Sequence, residues 1–209
     1  GGAAAAARAA VADLEKNATG WDGRSVASAC WALAKLGLAV PEPLAAEAGR
    51  RAAAMKPREL ATCAWALATA NGRNATCGDA YAAATRQTTA ASLTSVAAAA
   101  RRCSKTLSGR DAATVLFALA TAKRAPPDVV RALARRLAAP AVAGCGQWNA
   151  QDVANGCWAC ASVGVDAPEL FGAAAKFAVA NASSLEPRGA ATLAWAFAAQ
   201  ARRAAAKAG

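Results

Sequence analysis

Cationic, hydroxyl and amide side chains recur at fixed distances from a bulky aromatic residue that appears five times along the chain. A long cation or amide stands seven residues before each aromatic, and a short polar residue stands three before it. In four of the five copies another polar residue stands four residues after the aromatic. Guanidinium groups suit phosphates and base faces, while short hydroxyl and amide groups suit base edges. The fourteen residues, called the polar stripe below, are Arg24, Ser28, Lys35, Arg58, Thr62, Thr69, Arg110, Thr114, Thr121, Gln151, Asn155, Ser162, Arg188 and Thr192.

The three offsets of the polar stripe share one face of a helix, because residues separated by three, four or seven positions lie above one another. A polar face is also expected of any amphipathic helix that is exposed to water. Solvation alone does not require a long cation or amide and a small polar group at the same two offsets in every copy. We therefore predict that the polar stripe binds RNA, and solvation remains the alternative.

The aromatic residues themselves lie in a repeated Ala-rich sequence, usually followed by Ala-Leu-Ala or a close variant. Successive aromatics are separated by 34, 52, 41 and 37 residues. Such a period is typical of stacked helical repeats. Because the aromatics recur inside an apolar pattern, we predict that they pack in the core between helices. The aromatic row consists of Trp31, Trp65, Phe117, Trp158 and Trp195.

Signals for helix starts precede each aromatic and define the elements that must position the polar stripe. Asp22, Ser108 and Asn149 are suitable N-caps, and Pro57 and Pro187 suit the first turn of a helix. We call the helix that carries each aromatic an A-helix, and the helix that follows it a B-helix. The predicted A-helices cover about 23–37, 57–70, 109–123, 150–163 and 187–203, and predicted B-helices cover about 42–54, 127–139 and 167–181.

These elements predict an all-α protein, a right-handed α-solenoid of about five helical hairpins of roughly 38 residues, in a single domain spanning 1–209. The 70 alanines favour helices throughout. Residues 77–105 form an irregular, enlarged repeat, for which we predict two short helices at about 78–87 and 90–104. Because the first residue is Gly1 and not Met, we expect a fragment of a longer chain.

The charge balance favours a polyanionic partner. Twenty-four Lys and Arg residues face 13 Asp and Glu residues, giving a net charge of +11. An excess of this size suits nucleic acid, although charge also keeps helical surfaces soluble. No apolar stretch is long enough to cross a bilayer, so we expect no membrane insertion.

The residue types give little support for catalysis. The chain has no His, the usual general base and the commonest metal ligand. Cys157 and Cys160 are its only close thiol pair, and their positions in the repeat predict core residues and not zinc ligands. No phosphate-binding glycine motif is present. We expect no enzymatic activity, no metal and no cofactor.

Three segments carry a resemblance to a known family. Val26-Ala-Ser-Ala-Cys-Trp-Ala-Leu-Ala-Lys-Leu-Gly37 resembles the start of an octotricopeptide repeat, and the segments 58–65 and 151–158 match the same phrase. The pattern is also similar to the helical repeats of FAST-kinase-like and RAP-domain proteins. The resemblance implies a protein of mitochondria or chloroplasts that binds RNA and acts in RNA stability, processing, translation or ribosome assembly.

Together, the residues and the resemblance predict an organellar protein that binds single-stranded RNA at about one nucleotide per repeat. The first alternative is a structural scaffold subunit of a large organellar complex such as a mitochondrial ribosome. Its partners would be rRNA and other proteins of the ribonucleoprotein complex. A third interpretation is an adaptor that binds acidic peptides.

Overall fold

A computed structural model describes residues 16–17, 20–74, 80–139 and 149–208. These residues form helices and connecting turns without any strand, which confirms the all-α fold class for the part of the chain described. In chain order the α-helices are α1 (Gly23–Lys35), α2 (Glu42–Arg51), α3 (Pro57–Asn74), α4 (Ala80–Arg102), α5 (Gly109–Thr121), α6 (Pro127–Ala138), α7 (Ala150–Val163), α8 (Pro168–Ala180) and α9 (Pro187–Ala208), with 3₁₀ helices at Ala52–Ala54 and Ala182–Ser184.

Capping side chains and prolines set the starts of the helices. The side chains of Asp22, Ser108 and Asn149 cap α1, α5 and α7 by accepting hydrogen bonds from the backbone N–H three residues later, at 2.8, 3.0 and 2.7 Å. Proline opens α3, α6, α8 and α9, where its missing N–H leaves no hydrogen bond unmade. All five A-helices, α1, α3, α5, α7 and α9, begin at the predicted residue.

Three A-helices end in the same way, six residues after the aromatic. Gly37, Lys123 and Gly164 have positive φ angles of 76°, 54° and 78°. After α1 the N–H of Leu38 donates to the carbonyl oxygen of Leu33 at 2.9 Å, the closure expected of a left-handed helix stop. The helices α3 and α9 lack this stop and run past the predicted ends at 70 and 203.

The chain divides into two compact units, Gly1–Ala99 and Ala100–Gly209, and α4 contributes residues to both. In the first unit α1 packs against α3 and α2. In the second unit α7 packs against α5 on one side and α9 on the other, so the A-helices form a layer. The B-helices α6 and α8 pack against each other and against the A-helices.

The core of each unit is built from leucine and alanine. Leu44, Leu60 and Leu67 are fully buried in the first unit, and Leu116 and Leu133 are fully buried in the second. Burying one such side chain contributes about 1.5–3 kcal/mol. Buried alanines fill the remaining helix contacts and let the backbones approach closely.

The prediction of two short helices within 77–105 is wrong, since α4 is one continuous helix from Ala80 to Arg102; residues 77–79 lie outside the described ranges. No Gly or Pro lies within α4. The hydroxyl of Ser92 donates to the carbonyl oxygen of Ala45 at 2.6 Å, which ties the middle of α4 to α2. Buried contacts with α2 therefore outweigh the weak helix propensity of the Thr residues just before Ser92.

The described helices include none that combines the length and the apolar character needed to cross a membrane.

Candidate nucleic-acid interface

The polar stripe lies at the surface on the five predicted A-helices. Each of its fourteen residues is exposed or half-buried, and none is buried. In the first unit the contacting helices α1 and α3 carry six of these residues. In the second unit the layer of α5, α7 and α9 carries the other eight. The structure therefore places the predicted residues at the surface of helices that contact one another within each unit.

The arginines of the polar stripe are exposed and are not ion-paired in the described part of the chain. Arg24, Arg58, Arg110 and Arg188 form no ion pair with any residue that the structure describes. Their five N–H donors are fixed in a planar fork that matches phosphate and carboxylate geometry. The stripe itself contains no Asp or Glu, but Asp22 lies close enough to Arg24, and Asp152 close enough to Arg110, for their charges to interact.

The threonine hydroxyls of the stripe already make hydrogen bonds within their own helices. Thr62, Thr114 and Thr192 each donate to the carbonyl oxygen of the stripe arginine four residues earlier, at 2.9, 2.9 and 2.8 Å. Such a bond uses the hydroxyl proton and leaves the oxygen lone pairs free to accept. These three groups can therefore accept hydrogen bonds from base amino groups but are less suited to donate.

Burial raises the pKa of one carboxyl group beside the stripe. Asp152 follows Gln151 at the start of α7, and desolvation of its carboxylate is the main cause of the raised pKa. The positive charge of Arg110 opposes this shift, and the negative charge of Asp111 adds to it. Asp152 therefore lies within electrostatic reach of both Arg110 and Asp111.

The prediction that the aromatic row packs in the core between helices is wrong for Trp31 and Trp195, and the other three rings are only partly buried. Trp31 and Trp195 are each 45% exposed, and the other three rings are half-buried. The offsets explain this result: the aromatic stands three residues after one stripe position and four before the next, so it shares their face. The core is filled instead by neighbouring positions such as Cys30 and Leu33, which are buried.

Rings of the aromatic row contact a lysine in the first unit and contact each other in the second. In the first unit the Lys35 ammonium lies 5.6 Å from the centroid of Trp31 and 5.2 Å from that of Trp65. In the second unit the rings of Phe117 and Trp158 pack directly, with centroids 5.1 Å apart and a tilt of 43°. The exposed face of the A-helices is therefore both aromatic and cationic.

A second basic surface lies in the Ala100–Gly209 unit, away from the polar stripe. It is an open cavity of about 540 Å³ between the end of α4 and helix α6. Its lone carboxylate, Asp128, pairs with Arg101 at 2.8 Å, leaving an excess of positive charge. The charged residues of this basic pocket are Arg101, Arg102, Lys105, Asp128, Arg131 and Arg135.

The cysteines that the structure describes are structural in character. Cys157 and Cys160 are buried, as predicted, and burial raises the pKa of each thiol to about 12. Cys30 is also buried, and the hydrogen bond to the Cys63 thiol is the main cause of its raised pKa. Thiols of this kind stay protonated and unreactive. The described ranges contain no cluster of three or more metal-ligating side chains.

Fold and surface together define an all-α protein whose successive helices pack on one another and whose A-helix face is basic, polar and aromatic. No protein-family model matches the chain, and no curated protein matches its sequence. The function is therefore inferred from the interface itself.

Proposed function

We propose that this chain is an organellar RNA-binding helical-repeat protein that captures single-stranded RNA on the A-helix face of each unit. Its role would lie in RNA processing, stability, translation or ribosome assembly, and the organellar setting rests on the octotricopeptide resemblance. The observation that carries the proposal is the set of exposed stripe arginines without ion-pair partners, placed on helices that contact one another.

Capture begins with electrostatics. A net charge of +11 draws RNA to the surface, and each phosphate that an arginine neutralises releases bound counterions. The stripe arginines then hold the backbone against the A-helix face. The free lone pairs of the threonine hydroxyls accept hydrogen bonds from exposed bases.

A single strand fits this surface better than a duplex. The bases of duplex RNA are paired, and its major groove is too deep and narrow for side chains to enter. The stripe consists of short side chains between long cations, so its polar groups reach only bases that are splayed out.

The basic pocket favours a second function, that of a scaffold subunit in a large organellar ribonucleoprotein such as a mitochondrial ribosome. The pocket offers a further group of cations in the second unit, and a folded rRNA could occupy the stripe and the pocket together. A stoichiometric complex that survives purification at high salt would favour this alternative over a free RNA-binding factor.

The test is fluorescence anisotropy with oligo(U) and with a duplex of equal length while salt is raised. We expect tighter binding of the single strand and an affinity that falls steeply, by roughly 0.7 logarithmic units per logarithmic unit of salt for each phosphate contact. The double variant Arg58→Ala/Arg110→Ala should reduce the slope by roughly 1.4 if each arginine holds one phosphate.

The matched control is the double variant Lys56→Ala/Lys176→Ala, which removes the same charge from exposed positions outside the A-helices, just before α3 and on α8. It should leave most of the salt slope in place. If neither oligo(U) nor oligo(A), whose amino groups the threonine hydroxyls can accept from, binds the protein, or if binding is equally tight at all salt concentrations, the proposal is wrong.

A further inference from the structure

We infer that the aromatic row is a base-stacking surface, on which bases of single-stranded RNA lie against Trp and Phe rings while the stripe arginines hold the phosphates. This inference rests on the proposed function and specifies how the A-helix face recognises RNA. Stacking would supply affinity that does not depend on base identity, because every base has a flat aromatic face.

The exposure of the rings is the first argument. Trp31 and Trp195 occupy the same repeat position on α1 and α9, in different units, and each leaves 45% of its surface in water. In the described part of the chain only two other large apolar residues, Leu36 and Val179, are exposed. A ring needed only for packing would be buried, as its neighbour Leu33 is.

The cations around the rings are the second argument. The ammonium of Lys35 lies within 6 Å of both the Trp31 and the Trp65 ring, and each of these rings follows a stripe arginine by seven residues. A base stacked on either ring would therefore bring its phosphate toward a lysine or an arginine. Surfaces that bind single strands combine aromatic faces and basic side chains in this way.

The hydroxyl groups distinguish stacking from hydrogen-bond recognition of the bases. The hydroxyl groups of Thr62, Thr114 and Thr192 already donate to carbonyl oxygens of their own helices. They can therefore bind a base only by accepting a hydrogen bond from it. Uracil carries few such donors, so hydroxyl readout predicts weak binding of oligo(U). Stacking predicts that oligo(U) binds, with modest preferences among the bases.

The stripe arginines without ion pairs favour nucleic acid over a protein partner. A protein that covers an exposed Trp face can do so with apolar groups and has no need of unpaired arginines. Here the rings of Trp31 and Trp65 lie beside Lys35, which forms no ion pair with a described residue. The chemistry fits a ligand that is flat and aromatic at one end and anionic at the other, which describes a nucleotide.

The experiment compares oligo(U) with an abasic oligomer that has the same length and the same phosphates. We expect the abasic oligomer to bind the wild-type protein at least tenfold more weakly at equal salt. Trp31→Leu should weaken oligo(U) binding by about tenfold and leave abasic binding unchanged. Oligo(U) should also quench the tryptophan fluorescence of the wild-type protein, a signal that does not depend on any variant folding.

The control variant Val179→Ala removes exposed apolar surface from α8, outside the aromatic row, and should bind both oligomers as the wild type does. Equal binding of the two oligomers, without quenching and without an effect of Trp31→Leu, overturns the stacking inference but leaves the proposed function intact. Failure of both oligomers and of oligo(A) to bind overturns the proposed function, and the inference falls with it.

Discussion

The aromatic rings of the two units occupy the same repeat position but are held in different ways. In the first unit Trp31 and Trp65 share the ammonium of Lys35. In the second unit Phe117 and Trp158 pack ring against ring, 5.1 Å apart. In the first arrangement a positive charge lies beside the rings. In the second arrangement the two rings contact each other instead.

The residue four positions after the aromatic accounts for this difference. Lys35 is long enough to reach over two rings. At the equivalent position Thr121 is short, and its hydroxyl donates to the carbonyl oxygen of Phe117 at 2.8 Å. One side chain per repeat therefore decides whether an A-helix presents a cation with its ring. We expect the first unit to contribute more to RNA binding and the ring pair of the second unit to contribute more to stability.

The largest effect is expected from truncating a packed ring. Phe117→Ala should lower the free energy of unfolding by about 2–3 kcal/mol, because it removes a half-buried ring together with its contact to Trp158. Trp31→Ala should lower it by only about 1 kcal/mol, because almost half of that side chain is already in water. Urea unfolding followed by circular dichroism measures both changes.

A double-mutant cycle separates the contact from the loss of ring surface. The Phe117 and Trp158 rings should couple by about 1 kcal/mol, and Lys35 and Trp65 by about 0.5 kcal/mol. Phe117→Ala and Trp31→Ala could instead lower the free energy of unfolding equally, or the Lys35–Trp65 coupling could exceed the Phe117–Trp158 coupling. Either result would contradict the view that ring packing stabilises the second unit more than the first.

A smaller effect is expected from exchanging the residues that end α1 and α5. Lys123 occupies the left-handed position that Gly37 occupies in the first unit, with a φ of 54°. Lys123→Gly should stabilise the second unit by about 1 kcal/mol, since a side chain is disfavoured in this conformation. The reciprocal change Gly37→Lys should destabilise the first unit by about the same amount. Opposite signs in thermal unfolding support the repeat equivalence, whereas two changes of the same sign argue against it.

Much of the fold could be predicted because its start signals are local. The caps Asp22, Ser108 and Asn149 depend on one side chain and one N–H three residues away, so sequence is sufficient to find them. The continuity of α4 could not be predicted from local signals, because the Ser92 hydrogen bond to α2 depends on tertiary contact. The helix α3 continues through Asn71 and Gly72, and α9 continues past Arg203, so both ends were predicted too early.

For the site, helical offsets were enough to predict that the polar stripe shares one exposed face. The same helical offsets, applied to Trp31 and Trp195, place the aromatic row on that face as well. The Ala-Leu-Ala context led to the opposite prediction, because apolar runs usually indicate core. The basic pocket needed the fold, since Arg101 and Arg135 belong to separate segments that only α6 packing brings together.

The most direct test of the central claim is ultraviolet crosslinking of oligo(U) to the wild-type chain, followed by mass spectrometry of the crosslinked peptides. The proposed interface predicts crosslinks on the exposed A-helix face, at or beside Trp31 in the first unit and Trp195 in the second. Crosslinks confined to the basic pocket or to the helices α2 and α8 would show that RNA binds elsewhere and contradict the claim.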